Sequence, residues 1–146
     1  MRRAFLTGMA IFLAVGVGAS VAADDPISAR KALMKANGSA TKSVVGIMKG
    51  SAPFKLEDVQ AALKSYMDAA DMASKLFPAG SDKGDTNALP AIWTNRKDFD
   101  ARFAKLGSES KAALASITDE ASFKAKFPPV LKNCGDCHEL YRAKEK

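Results

Sequence analysis

Histidine occurs once and cysteine twice in 146 residues, and that scarcity removes several kinds of chemistry. A structural zinc site takes four protein ligands, and no second Cys/His pair exists to complete one. A thioredoxin-like redox pair belongs near a βαβ pattern, and no convincing strand is legible anywhere in the chain. No basic run interleaved with aromatics points to nucleic acid. Internal repeats and low-complexity tracts are absent as well. The one sustained apolar run, residues 4–18, is shorter than the roughly 20 residues a spanning helix needs, which argues against a permanent membrane anchor.

That run has a different use. Arg2 and Arg3 precede it, it contains Phe5, Leu6, Ile11, Phe12 and Leu13, and Val21-Ala22-Ala23 follows with the small residues of a cleavage site. Basic, apolar, small is the order of a secretory signal peptide, assigned to residues 1–23. The expected mature chain, residues 24–146, has 123 residues, enough for one domain with one core. Loss of Arg2 and Arg3 lowers the formal charge from +6 to about +4. A mild excess of this kind is a solvated surface that can steer docking to an acidic partner.

The scarce residues are all in one place: Cys134-Gly135-Asp136-Cys137-His138. Two thiols in this spacing can add to the two vinyl groups of one porphyrin, and the adjoining histidine presents an imidazole to the iron. A plain disulfide would leave that histidine unexplained. The motif therefore implies one covalently attached haem c, with Cys134 and Cys137 as thioether positions and His138 as an axial ligand.

Helical periodicity fills the rest. One seam runs through Ile27, Arg30, Met34, Asn37, Thr41, Val44 and Met48 and ends at Gly50 and Pro53. A second runs through Leu56, Val59, Leu63, Tyr66, Ala70, Ala73 and Phe77 and stops at Pro78. A third runs through Phe99, Phe103, Leu106, Ser110, Ala113 and Ile117. The fourth opens near Thr118 and Asp119, carries Phe123, Phe127, Val130, Cys134, His138 and Tyr141, and is expected to bend at Pro128 and Pro129. Short connections between the first and second and between the third and fourth make those pairs antiparallel neighbours. Residues 78–95 are long enough to cross one end, with Leu89, Ile92 and Trp93 pinning the loop to the core. The expected fold is all-α: an antiparallel up-down-up-down four-helix bundle.

A second axial ligand, if the protein supplies one, comes from upstream of the motif, and with no other histidine a methionine thioether is the plausible donor. Met34, Met48, Met67 and Met72 are the mature candidates. His138 lies near the end of the fourth helix, so the antiparallel first helix faces it near its beginning, at Met34. Met48 is fourteen residues further along, about 21 Å at ~1.5 Å per residue. Met67 and Met72 fall off the second seam, although Met72 lies near the right level and is the runner-up. Arg30 and Asn37 are polar where a simple bundle is apolar, and Gly38 weakens the helix by roughly 1 kcal/mol relative to alanine. A cofactor at this level accounts for all three, with Arg30 meeting a propionate and Gly38 leaving room for a porphyrin face.

Over essentially its whole mature length the chain resembles the class II cytochromes c, the cytochrome c' superfamily. The ending Cys134-Gly135-Asp136-Cys137-His138-Glu139-Leu140-Tyr141-Arg142 matches that family's C-terminal haem motif, and Ala91-Ile92-Trp93 followed by Phe99 resembles its approach to the third helix. Leu33-Met34-Lys35-Ala36-Asn37-Gly38 with Lys49-Gly50-Ser51-Ala52-Pro53 is similar to the low-spin cytochrome c556 branch. The resemblance implies Met34 as sixth ligand and His138 as fifth, with Arg30 and Lys31 near the propionates. It implies a periplasmic one-electron carrier, not an enzyme, that serves redox partner proteins as a monomer or homodimer. A five-coordinate cytochrome c' that binds small gases such as nitric oxide is the alternative.

Overall fold

Asp25 opens the first helix. Its carboxylate accepts from the backbone N–H groups of Ile27 and Ser28, and Pro26 takes the first helical position, where a missing donor costs nothing. The computed structural model describes residues 25–144, so the signal peptide assigned to residues 1–23 lies outside the described residues. Helix α1 spans Pro26–Met48 and stops where Gly50 adopts φ 71°, a left-handed conformation that suits a residue without Cβ. There Gly50 N–H donates to the Ile47 carbonyl and Ser51 N–H to the Gly46 carbonyl, both at 3.0 Å, which satisfies two terminal carbonyls together.

Helix α2 spans Leu56–Ala73 and runs into a 3₁₀ turn, Ser74–Leu76. A one-turn helix, α3, spans Ala91–Thr94 inside the stretch read as a loop. Helix α4 spans Arg96–Ser116 and α5 spans Glu120–Tyr141. Asp119 and Ser122 cap α5 reciprocally, side chain to backbone in each direction. Pro128 and Pro129 do not interrupt α5, which is one continuous helix across them. Both prolines face solvent, as do Lys124 and Ala125, whose carbonyls would have received the missing donors; water can satisfy them there. Among the described residues the only strand-like pairing is an isolated antiparallel bridge between Ala88 and Arg142.

The four long helices form the antiparallel bundle in chain order: α1 packs on α2, α2 on α4, and α4 on α5. Gly107 lets α2 and α4 approach closely, since a Cβ there would stand 3.0 Å from that of Ala70. The two ends of the bundle differ. Where α1 and α4 end and α2 and α5 begin, Val44, Ile47, Val59, Leu63, Ile117, Phe123 and Phe127 are buried. Aromatic contacts join Phe54 to Phe123 at 5.8 Å and Phe123 to Phe127 at 5.1 Å between ring centroids. That end is a dry core.

Candidate functional site

The opposite end is hollow. A cavity of about 830 Å³ is lined there by α1 and α5 together with Tyr66 of α2, four positions of α4 and the segment before α3. Each long helix contributes a stripe set by its periodicity: Arg30, Met34, Asn37, Gly38 and Thr41 from α1, Phe99, Arg102, Phe103 and Leu106 from α4, Cys134, Cys137, His138 and Tyr141 from α5. The structure thus brings Met34, Cys134, Cys137, His138, Arg30 and Lys31 to one cavity. Met48, Met67 and Met72 are not in its wall; Met67 lies in a groove between α2 and α4, and Met72 is 52% exposed.

The residues present fit a covalently attached haem. The volume is within the range of cofactor sites, roughly 300–1,000 Å³, and most of the surface of the wall is apolar. Both cysteines are unpaired and lie on the cavity side of α5. At Gly38 nothing stands within 4 Å of where a Cβ would be, so this part of α1 leaves open space beside Met34.

Electrostatics separate this pair of thiols from a reactive dithiol. Burial raises the Cys134 thiol, and it pushes Cys137 up to about 11, with Arg102 acting in the other direction. Free thiolate is therefore scarce at neutral pH, against the disulfide-exchange reading. Burial, and then Arg142, lowers His138, which favours the neutral imidazole that metal ligation requires.

The distal wall carries a committed hydrogen-bond chain. Thr41 donates its hydroxyl hydrogen to the Asn37 carbonyl at 2.8 Å, so Tyr66, 2.8 Å from Thr41, must be the donor of that pair. Burial raises the Tyr66 phenol to about 12. Asn37, read from sequence as an anomaly explained by a cofactor, also has a protein partner, since Ser65 donates to its Oδ1 at 2.8 Å.

Arg30 is 3% exposed. Its Nη1 donates to the Leu76 carbonyl at 3.3 Å and Ser81 Oγ at 2.9 Å, and its Nη2 to the Ser81 carbonyl at 2.7 Å and Thr86 Oγ1 at 2.8 Å. The guanidinium also stands 4.7 Å from the Phe77 ring centre. Lys31 pairs with Asp85 at 2.5 Å, at an exposed position where such a pair contributes little. Arg30 therefore fastens the segment after α2 over the cavity, whatever it also does toward a cofactor. Arg30→Ala is expected to destabilise the haem-loaded protein by about 2–4 kcal/mol in guanidinium denaturation, with Arg30→Lys recovering only part because it cannot reproduce the planar fork.

Trp93 stays out of the cavity wall. Its indole donates to the Pro78 carbonyl at 3.0 Å and its ring meets Phe77 edge-on, which pins the loop. Several wall residues escaped the sequence reading as site residues: Arg102, Asn133, Tyr66 and Phe103. The available signal was periodicity, because Arg102 and Phe103 follow Phe99 by three and four residues and Asn133 adjoins Cys134.

The Cytochrome C' family model matches residues 25–142. A cytochrome c' of Rhodopseudomonas palustris is 42% identical over 146 residues, covering 99% of this chain and 98% of that one. A cytochrome c-556 of Agrobacterium fabrum is 35% identical over 146 residues, covering 99% of each. The solved structure of cytochrome c' from Rhodopseudomonas palustris superposes with a TM-score of 0.81 at 45% identity, over 84% of this chain and 98% of that one.

Proposed function

The chain belongs to the cytochrome c' family, a class of proteins with covalently bound haem c, and from that premise we propose that it is a periplasmic one-electron carrier with His138 and Met34 as axial ligands. Membership makes it a haem protein of the c'/c-556 type. The ligand pair is the finer step, and one observation carries it: of the methionines among the described residues, Met34 alone lines the cavity that also holds Cys134, Cys137 and His138.

When bound, haem supplies the one-electron couple of its iron. The chain's residues do the rest. Cys134 and Cys137, one helical turn apart on α5, fix the group by two thioethers, and His138 beside them offers a neutral imidazole. Met34 offers a thioether from α1, a soft ligand that favours the ferrous state. Tyr66, Phe99, Phe103 and Leu106, which line the cavity, would keep water from the ring and reorganisation small. With His138 and Met34 both holding the iron, an exogenous gas would have to displace a protein ligand to bind. Arg30 and Lys31 remain the proposed propionate contacts, although both already bond to residues 76–86.

Export to the periplasm is supported by the basic, apolar and small-residue order of residues 1–23, and no helix among the described residues is long and apolar enough to cross a membrane. Its partners in this reading are redox proteins of the same compartment. A gas-binding five-coordinate reading is favoured by one observation, the 42% identity to a cytochrome c'. Optical spectra of the purified protein decide between them. The carrier should be low-spin when ferrous and should bind carbon monoxide weakly or slowly. A high-spin wild type that binds carbon monoxide readily at neutral pH would place the protein in the five-coordinate class.

A further inference from the structure

We propose that Asp98 and Arg102, held together by Tyr141, form a charge bracket that sets the reduction potential of the bound haem from the side of its attachment helix, an inference that rests on the carrier reading above. An Asp–Arg pair at i, i+4 on a helix is ordinarily a solvated pair of small effect. Two features set this one apart. Arg102 Nε donates to Asp98 Oδ2 at 2.6 Å, and Nη1 donates to the Asp136 carbonyl at 3.2 Å. Asp136 lies between the two cysteines, so the guanidinium is fixed against the stretch of backbone that carries Cys134, Cys137 and His138. The same Asp98 oxygen accepts from the Tyr141 hydroxyl at 2.6 Å, and that hydroxyl accepts from Asn95 Nδ2 at 3.1 Å. Arg102 also stands 5.8 Å from the centre of the Tyr141 ring. Few rotamers satisfy all of these contacts at once.

Both members are charged at neutral pH. The hydrogen bond from Arg102, and then that from Tyr141, holds the Asp98 carboxyl below its ordinary range. Their distances from the cofactor are unequal, however. Arg102 lines the cavity and Asp98 does not, so from the cavity the carboxylate lies behind the guanidinium. The nearer cation disfavours the more positive, ferric state and raises the potential, while the carboxylate partly cancels it. The side chains are 29% and 40% exposed, so salt should weaken both effects.

Opposite signs are the signature. In spectroelectrochemical titration of the haem-loaded protein, Arg102→Gln should shift the oxidised-to-reduced ratio at a fixed reference potential roughly two- to tenfold toward oxidised. Asp98→Asn should produce a smaller shift toward reduced, the double variant should fall between Arg102→Gln and the wild type, and both single shifts should shrink as ionic strength rises. A merely structural pair would move both variants the same way and without that salt dependence. Where Arg102→Gln fails to accumulate, Asp98→Asn with Arg102→Lys carries the test: a shift toward reduced for the first and little change for the second are expected. Single variants moving in one direction, or neither moving twofold, overturn the bracket. A wild type that does not cycle reversibly overturns the carrier reading instead.

Discussion

Complete loss of unextractable haem is the expected result of combining Cys134→Ala with Cys137→Ala. Acid-acetone cannot break a thioether, so it should leave the wild-type pigment with the polypeptide and remove it from the double variant. The effect should extend to folding. Without the ring, the cavity of about 830 Å³ sets Tyr66, Phe99, Phe103 and Leu106 around space, and an apolar void costs on the order of tens of cal/mol per Å³ in well-packed cores. A cavity this large would collapse or flood, so circular dichroism should show poorer helicity and a broader thermal transition. Stable haem that resists extraction from the double variant would overturn the attachment assignment.

Met34→Ala should change the spin state. If the Met34 thioether binds iron, its removal opens a coordination position, turns the ferrous spectrum high-spin, and speeds carbon monoxide binding by orders of magnitude because no protein ligand has to leave. Met72→Ala is the control. That side chain is half exposed and outside the cavity wall, so both properties should stay nearly unchanged. Equal spectra for Met34→Ala and the wild type would remove Met34 from the iron, and if both are high-spin they would move the protein to the five-coordinate class.

Much of this site is local in sequence, which is why it was legible. Cys134, Cys137 and His138 are spelled out in five residues, and Met34 follows from helical rise along antiparallel neighbours. The four long helices fall where the seams run because one apolar face per helix is a strong periodic signal. Contacts between distant segments leave no such trace. Arg30 bonds to residues 46 to 56 positions downstream, and no periodicity announces a buried arginine as the fastening of a loop. The one-turn α3 is too short for a seam. Arg102 reads as an ordinary i, i+4 partner of Asp98 until α5 is laid beside α4. Pro128 and Pro129 stand inside one continuous helix, because the carbonyls they leave without donors fall on the solvent face.

The unequal ends of the bundle bear on what kind of object the polypeptide is before it meets its pigment. One half, around Phe123 and Phe127, has its own reasons to be ordered. The other is held by Phe99 against Phe77 and Tyr141 and by Arg30 on the segment after α2, around a cavity whose filling would offset more of the backbone ordering, about 1–2 kcal/mol per residue. The nascent protein is in that sense a receptacle with a finished base and an unfinished rim, and the prosthetic group serves as the second half of its interior as well as its reactive centre.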